Sequence, residues 1–430
     1  MRVVIIGGGT AGHMALAHVS HHFSDVKLTH IFDSTRPTIG VGEGTTPDFV
    51  HWLGTIGVTM ADLVNHCQAT HKRGLRFEGW GKHQETFEHE FLPRSKQAVH
   101  FSAAQLPELL AARSKFNRID DCVTAVVATE TDTTVVTQRG QQVEADLVID
   151  ARGFQADDDE MTSHQFDWIT TDSALVTKSP MIDSSTITRA VTRPLGWIFC
   201  IPLANETSFG YVYNSQFCTA DEASIDFRHF LDEQSVEVHS EFRTLSFPNF
   251  ARRDIFDGQI LHIGNRASFL EPLEATAIGL VVLQLHLLQH WRQLSEQGMP
   301  KLLAVERINR IHEDTLVKIS IFIAWHYAAG SRYDTPFWQN AADRFRRLTE
   351  LPACGGMLRQ FDKMLEVSNG ISPSVLASCD TEADFQRHCP GDRGRQNFGG
   401  YSPLSFAQLA SGLGIHRSSS RPTVATDGTH

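Results

Sequence analysis

The chain opens with a short apolar run that leads directly into a glycine-rich turn. Residues 3–6 are all Val or Ile, and four of the next six residues are glycine. Apolar spacing then predicts a helix from residue 10 to about 23, and a second apolar run predicts a strand over 27–32. Strand, glycine turn, helix and strand in this order predict the first half of a doubly wound parallel sheet.

Helical and alternating patterns continue along the next hundred residues. The predicted elements are helices at 48–56, 60–67 and 101–116, a strand at 72–80, and a three-stranded meander at 122–129, 133–138 and 142–149. The meander ends in residues 146–153, where an apolar strand runs into an acid and a glycine. This ending suits a return to the first sheet.

A second β-rich region and several long helices complete the pattern. Strands are expected at 174–178, 188–193, 196–201, 209–214 and 259–264, and helices at 222–231, from about 276 to 291, and at 302–328. We therefore expect an α/β fold with an inserted β-rich substrate region and a helical C-terminal region. The predicted boundaries are a domain at 1–345 (residues 1–155 and 255–300 binding the nucleotide, residues 156–254 forming the β-rich substrate region), a helical region at 346–417 and a disordered tail at 418–430.

Composition narrows the class of protein. The 430 residues carry a formal charge of −12, with 41% hydrophobic and 20% charged residues, as in a soluble globular protein. No basic stripe suits nucleic acid, and no apolar run is long enough to span a membrane. The seven scattered cysteines and the absence of metal-ligand spacings predict reduced thiols, a cytoplasmic location and no metal site.

The first glycine turn has the spacing of a dinucleotide-binding motif. Gly7 permits the tight turn, Gly9 lets the backbone approach a pyrophosphate, and Gly12 lets the helix pack close to its strand. The helix N-terminus at Thr10 and Ala11 offers N–H groups to the phosphates. An ordinary glycine-rich turn is the alternative, but the ordered strands on both sides favour the motif.

Later turns indicate which dinucleotide binds. Asp33 follows the second strand and is placed to accept ribose hydroxyls. Further glycine turns occur at 40–44, 150–153 and 264–279, and an extended FAD lying across the sheet would use all of them. The expected FAD contacts beyond the first turn are Asp33, Gly40, Gly42, Glu43, Asp150, Gly153, Gly264, Thr276, Ala277 and Ile278.

Five ordered segments together resemble one family. They are residues 7–12, 39–47 (IGVGEGTTP), 197–202 (WIFCIP), 269–276 (FLEPLEAT) and 331–338 (SRYDTPFW). They resemble the flavin-dependent tryptophan halogenases, a branch of the FAD monooxygenase fold. The chain departs from the W-x-W-x-I-P signature at Phe199 and has Ala275 where a serine is usual. The resemblance runs from residue 1 to about 338.

The resemblance implies two catalytic residues. Lys72 occupies the position of the lysine that meets hypohalous acid or forms its chloramine, and Glu274 that of the carboxylate that pairs with this chemistry. An ammonium polarises a leaving oxygen, and a carboxylate accepts the proton lost when an aromatic ring is restored. The alternative is that Lys72 is a surface lysine and Glu274 a carboxylate at a helix N-terminus. His326 is interpreted as a core histidine.

The departures from the family bear on the substrate. Only nineteen residues separate Trp80 from His100, where the halogenases of free tryptophan carry a longer insertion. The C-terminal aromatic and acidic cluster of those enzymes is also missing. Both departures predict a wide pocket for a bulky or macromolecular substrate. Phe199 and Pro202, in the altered signature segment, are expected to contact that substrate.

Three hypotheses follow. The first is an FAD monooxygenase that hydroxylates an indole through a C4a-hydroperoxyflavin, on a tryptophan within a peptide or protein. It is similar in character to the peptidyl-tryptophan hydroxylating flavoproteins of tryptophylquinone biogenesis in quinohemoprotein amine dehydrogenase. The second is a tryptophan or indole halogenase that uses reduced FAD, O2 and halide, and the third a non-catalytic flavin-binding subunit. No second G-x-G-x-x-G unit is present, so an external flavin reductase is a possible partner.

Overall fold

The computed structural model describes residues 1–36, 42–83, 85–130, 132–154, 162–238, 240–388 and 397–415. Its strands are β1 (Arg2–Ile6), β2 (Lys27–Phe32), β3 (Gly42–Gly44), β4 (Thr70–Lys72), β5 (Gly74–Glu78), β6 (Thr86–Glu90), β7 (Ala98–Ser102), β8 (Asn117–Asp120), β9 (Val123–Ala128), β10 (Thr133–Thr137), β11 (Gln142–Ala145), β12 (Leu147–Asp150), β13 (Ser163–Gln165), β14 (Ser173–Pro180), β15 (Ile187–Arg193), β16 (Gly196–Pro202), β17 (Glu206–Tyr213), β18 (Arg243–Ser246), β19 (Phe250–Arg252), β20 (Ile260–His262) and β21 (Ser268–Phe269).

The helices are α1 (Thr10–His22), α2 (Pro47–Thr55), α3 (Met60–Cys67), α4 (Leu106–Ala112), α5 (Ala220–Glu233), α6 (Thr276–Glu296), α7 (Lys301–Tyr327), α8 (Pro336–Leu348), α9 (Gly355–Ser368), α10 (Pro373–Ala377), α11 (Glu382–His388) and α12 (Pro403–Leu413). Short 3-10 turns occur at Gly264–Arg266, Leu273–Ala275 and Pro352–Cys354. Residue 40 and the expected tail at 418–430 lie outside the described residues.

A parallel sheet carries the first glycine turn. Its five strands follow the order β20-β12-β1-β2-β8, and every pair in it is parallel. Val3 and Ile5 belong to the core shared with the helices, whereas Val4 and Ile6 pack with the β9–β11 meander on the other face. Burial on both faces explains why β1 is apolar at consecutive positions. This confirms the expected α/β class and doubly wound sheet.

A seven-stranded sheet forms the second layer. Its order is β18-β14-β17-β16-β15-β5-β6, with β15 and β5 parallel and the other pairs antiparallel. The sheet therefore takes β5 and β6 from the range 1–155, which we had assigned to nucleotide binding. Periodicity identifies a strand but carries no information about a partner a hundred residues away.

Two expected elements are divided in the structure. The strand expected at 72–80 is two strands, so Lys72 ends β4 and Gly74 begins β5. The expected helix at 101–116 was wrong at its start, because residues 98–102 are buried and pair as β7 with β3 and β4. The helix α4 keeps the leucine spacing but is only seven residues long.

The C-terminal helices pack against the layer that contains α7. Buried residues of α8, α9 and α12 share one apolar core with α7 and with β5, β15 and β16. The expected helical C-terminal region is therefore present. Within the described ranges, no helix combines the length and apolar character that crossing a bilayer requires.

Candidate active site

The first glycine turn lies at one end of a cavity of about 500 Å³. Gly7 has φ of +115°, and a Cβ there would lie 2.5 Å from the carbonyl oxygen of Ala151. A Cβ at Gly12 would lie 2.0 Å from the carbonyl oxygen of Gly7, so this glycine lets α1 approach β1. Gly9 lines the cavity, and no protein atom lies within 4 Å of a Cβ built there. Gly7 and Gly12 thus serve the fold, whereas Gly9 leaves room for a ligand.

Two acids were expected at this cavity, and they differ in role. Asp33 lines it, and hydrogen bonds from the backbone and hydroxyl of Thr35 lower the pKa of its carboxyl group to about 2. Burial would raise the pKa of Asp150, but hydrogen bonds from Arg152 and the nearby His262 ring, whose Nδ1 lies 3.6 Å from the carboxylate, hold it well below its usual range. Asp150 is not among the lining residues, because its carboxylate is held by Arg152 at 2.9 and 2.8 Å. Arg152 itself lines the cavity.

The other expected contacts extend along the same cavity. Thr10, Ala11, Glu43, Gly153, Gly264, Ala277 and Ile278 all line it. Burial raises the pKa of Glu43 to about 7. Gly42 does not line the cavity; its N–H donates to the Ser208 hydroxyl at 2.9 Å. A cavity lined by an open glycine, a helix N-terminus and the carboxylate of Asp33 fits the expected FAD.

A second cavity, of about 750 Å³, lies on the other side of the N-terminus of α6. Ala277, Ile278 and Val281 face the first cavity, whereas Thr276, Gly279 and Leu280 face the second. A Cβ at Gly279 would lie 3.2 Å from the hydroxyl oxygen of Thr46, which also lines the second cavity. The wall between the cavities is thus only one turn of helix and the segment that follows β3.

Lys72 lies buried beside this wall. A Cβ at Gly44 would be 2.9 Å from its Nζ, so the missing side chain at Gly44 makes room for the ammonium. The Nζ also lies 5.3 Å from the ring centre of Phe91, which lines the second cavity. It has no hydrogen-bond partner among the described residues. Burial lowers the pKa of Lys72 to about 7, although the nearby Glu274 carboxylate opposes the shift.

Glu274 is buried between two histidines. Both its carboxylate oxygens lie 2.9 Å from His89 Nδ1, and Oε1 also lies 2.9 Å from His326 Nε2. Burial would raise the pKa of Glu274, but the two histidines hold it well below its usual range. The alternatives in which Lys72 lies at the surface and Glu274 is a simple helix-terminal carboxylate are therefore wrong.

The aromatic lining of the second cavity is not apparent from the sequence. His89, Phe91 and Tyr401 all line it, together with Gly399 and Gly400. Alternation along β6 could have shown that His89 and Phe91 share a face, but their pairing with Tyr401, three hundred residues away, leaves no local signal. The C-terminal region therefore supplies part of this wall, a contribution that the sequence did not indicate.

The altered signature segment has another role in the structure. Neither Phe199 nor Pro202 is among the residues that line the two cavities. Trp197, in the same strand, donates its indole N–H to the Tyr327 hydroxyl at 2.8 Å, and Tyr327 donates to buried Glu271 at 2.7 Å. The segment thus ties β16 to α7 and to the loop that precedes Glu274.

The family of the chain follows from its sequence. A family model described as tryptophan halogenase matches residues 2–97 and 92–366. The chain belongs to the tryptophan halogenase family. This confirms the resemblance found in the sequence motifs, and the expected FAD cofactor agrees with the description of a relative as a flavin-dependent halogenase.

Individual relatives agree with the family assignment. The tryptophan 6-halogenase SttH of Streptomyces toxytricini is 25% identical, over 80% of this chain and 81% of that protein. Xcc4156, a flavin-dependent halogenase from Xanthomonas campestris, is 26% identical with a TM-score of 0.72, over 81% of this chain and 83% of its own. The fold of BrvH, a flavin-dependent halogenase from Brevundimonas sp. BAL3, also matches, with a TM-score of 0.76 and 22% identity over 97% and 90% of the two chains.

Membership of this family bears on the three hypotheses. The family and the relatives above are named for halogenation, which supports the second hypothesis over the first. Hydroxylation of a peptidyl tryptophan and a role in tryptophylquinone biogenesis have no support among these relatives. Phe199, the residue at which the signature segment departs from the family, lies outside the lining of both cavities.

Proposed function

We propose that this tryptophan halogenase family member is an FAD-dependent halogenase of an indole or a similarly electron-rich aromatic ring. The observation that carries the proposal is Lys72. A buried ammonium without a hydrogen-bond partner is costly, and such unpaired groups cluster at functional sites. Lys72 lines neither cavity, but its Nζ lies next to Gly44, just before the segment that separates the cavities, and 5.3 Å from the ring centre of Phe91 in the lining of the second cavity. An oxidant made at the flavin would pass this position on its way to a ring.

A second feature favours halide over direct transfer of oxygen. Thr276 is 5% exposed, and its hydroxyl has no hydrogen-bond partner among the described residues. It stands at the N-terminus of α6, where backbone N–H groups and the helix dipole favour an anion. Ala277 and Ile278 beside it face the FAD cavity. These groups would hold a halide at the flavin end of the wall, whereas a hydroxylase needs no such site.

The residues divide the reaction between two cavities. Bound reduced FAD would give two electrons to O2, which would take two more from the halide to yield hypohalous acid and water. Lys72 then meets the hypohalous acid in the wall, hydrogen-bonds its oxygen and protonates the hydroxide that leaves. The aromatic lining of the second cavity holds the ring that accepts the halogen. We infer that a separate flavin reductase supplies the reduced FAD.

The product mass tests this proposal. The protein is incubated with FAD, a flavin reductase with NADH, O2, chloride or bromide, and indole or tryptophan. A product that gains one halogen, with its isotope pattern, is expected. A product that gains one oxygen in the presence of halide would instead support hydroxylation, and a purified protein that binds no FAD would exclude both reactions.

Lys72→Ala tests the role of the buried ammonium. We expect halogenated product to fall at least about 100-fold, the usual cost of losing one electrostatic group at a reacting centre. Lys96→Ala is the matched control, because Lys96 also lines the second cavity but is exposed and lies over the Phe385 ring. Product yield from both variants is compared at equal FAD occupancy. Full halogenation by Lys72→Ala would contradict the assignment.

A further inference from the structure

The carboxylate of Glu274 does not face the substrate cavity. Both of its oxygens are hydrogen-bonded to His89, and one of them also to His326. Glu274 is 1% exposed and is not among the lining residues. These hydrogen bonds hold the carboxylate towards the two histidines rather than towards the cavity. The general base must reach the proton that it removes.

The second histidine fixes the charge of this cluster. His326 Nδ1 lies 2.9 Å from the carbonyl oxygen of Phe322, which only accepts hydrogen bonds, so Nδ1 carries a proton. Nε2 faces the ionised Glu274 carboxylate and must also donate. Both nitrogens are therefore protonated, and His326 is an imidazolium. Its ring is packed against Phe77 and Phe322, and it is fully buried, so it has no direct contact with the cavity.

His89 is the member of the cluster that reaches the cavity. Its Nδ1 must donate to Glu274, because the carboxylate only accepts. With Nδ1 protonated, the neutral ring keeps a lone pair on Nε2. The hydrogen bonds that the His89 ring makes to the described residues are those of Nδ1, and His89 lines the second cavity beside Phe91. A carboxylate that fixes the tautomer and supports the cation makes a neighbouring imidazole an effective base.

We propose that His89 Nε2, and not Glu274, accepts the proton that leaves the aromatic ring; this assignment rests on the proposed function. The ring carbon bonds to halogen from hypohalous acid, and its C–H bond then breaks, returning the electron pair to the ring. The ring proton moves to His89 Nε2. The leaving hydroxide takes a proton from the Lys72 ammonium and departs as water.

The charge of the buried cluster is unchanged by this step. Before it, Glu274 is negative, and His326 and Lys72 are positive. Afterwards Lys72 is neutral and His89 is positive, so the sum is the same. Creating an additional unpaired charge in a buried site would be costly, and this exchange avoids that cost. Glu274 is then a positioning residue, which holds the tautomer of His89 and stabilises its cation.

Kinetic isotope effects on His89→Asn test the assignment. Asparagine can still donate an amide N–H to Glu274, but it cannot take up a proton. We expect turnover to fall by about 10²-fold or more, the usual contribution of a general base. With a substrate deuterated at the halogenated carbon, the wild-type protein should show no primary isotope effect, because loss of the proton follows a slower step. In His89→Asn, loss of the proton becomes rate-limiting and a primary effect should appear.

Controls separate this assignment from stacking and from failure to fold. His89→Gln repeats the test with a longer amide, and FAD binding reports folding of both variants. His51→Asn is the matched control at another histidine of the same cavity and should show no isotope effect. Slower turnover of both His89 variants without an isotope effect would mean that His89 acts only by packing. An isotope effect in Glu274→Gln, but not in the His89 variants, would return the role to the carboxylate. Absence of halogenated product from the wild-type protein would instead contradict the proposed function itself.

Discussion

Glu274 and Ala275 both adopt left-handed backbone conformations, with φ of 66° and 55°. Non-glycine residues in this region are strained by about 1–2 kcal/mol each. The strained pair joins the 3-10 turn at Leu273–Ala275 to α6. This backbone conformation sets the direction of the Glu274 side chain, and hydrogen bonds from His89 and His326 hold its carboxylate. Strain at this point is typical of a site that fixes the direction of a functional side chain.

Replacement of Ala275 by glycine separates strain from function. Ala275→Gly should stabilise the protein by up to about 1 kcal/mol, because relief of left-handed strain exceeds the added entropy of the unfolded chain. Turnover should fall, since Glu274 is held less firmly. Ala277→Gly, two residues into the helix, should instead destabilise by about 0.5–1 kcal/mol. Urea unfolding measures the stability of the two variants, and steady-state assays measure their turnover. Equal destabilisation by the two variants would contradict a strained Ala275.

For single residues, the sequence pointed to Lys72 and Glu274 but not to the histidines that contact Glu274. Lys72 and Glu274 came from motifs that are continuous in the chain. His89 and His326 complete the Glu274 cluster, but they lie 185 and 52 residues from it along the sequence. His326 was interpreted as a core histidine, and it is indeed buried. No local pattern distinguishes a histidine that packs in the core from one that pairs with a buried carboxylate.

Among the elements, the β1–α1 turn was the most predictable. Its glycines act over short distances: Gly12 contacts Gly7 across the turn, and Gly7 contacts Ala151 at the end of the next parallel strand. Spacing within the motif encodes the first of these contacts, whereas the second depends on the pairing of β1 with β12. Gly9 differs from Gly7 and Gly12, because no atom of a residue beyond its chain neighbours lies within 4 Å of a Cβ built there.

Gly9→Ala should therefore separate binding from stability. Gly9 has φ of −78° and ψ of −177°, which alanine adopts without strain. We expect the stability of the FAD-free protein to change by no more than about 0.5 kcal/mol. FAD affinity should weaken by about tenfold or more, about 1.4 kcal/mol, because the new methyl group occupies cavity space. Gly12→Ala should lower both the stability of the FAD-free protein and its affinity for FAD. An unchanged Kd for FAD in Gly9→Ala would show that the cofactor lies elsewhere.

Sheet partners were the least predictable feature of the elements. The pattern at 72–80 indicated a strand, yet it did not show that β5 would extend the second sheet by pairing in parallel with β15. Helical spacing also extended the expected α4 backwards over β7, where five consecutive buried residues belong to a strand between two others. Burial on all sides removes the alternation from which strands are recognised.

On the scale of the whole molecule, the C-terminal region joins the site to the rest of the chain. Arg94, which follows β6, donates to the carbonyl oxygens of Leu376 and Ala377, and Gln408 exchanges hydrogen bonds with the backbone of Glu90. These contacts bring residues 399–405 over the second cavity. The cavity wall is thus assembled from strand β6, helix α6 and a segment three hundred residues after β6.

Buried histidines should control how the stability of the whole chain depends on pH. Burial lowers the pKa of His18, His30 and His312 to about 3, whereas each is about 6.5 in an unfolded chain. Between these values the unfolded chain binds protons that the folded protein does not. Each histidine therefore lowers the free energy of unfolding by about 1.4 kcal/mol for every pH unit below 6.5. Above pH 6.5 its contribution is constant.

A single variant isolates this effect from groups that act in the opposite direction. Burial raises the pKa of Glu43 and Glu271 to about 7, so these carboxyls stabilise the folded protein as the pH falls from 7 towards 4.5. The total slope therefore mixes both kinds of group. The difference between wild type and His312→Asn removes one histidine and leaves the rest. Urea unfolding at pH 7.5, 6.5 and 5.5 should show a gap between the two proteins that is constant down to pH 6.5. Below pH 6.5 that difference in the free energy of unfolding should narrow by about 1.4 kcal/mol per pH unit. A difference that stays constant to pH 5.5 would mean that His312 takes up its proton in the folded state as readily as in the unfolded one.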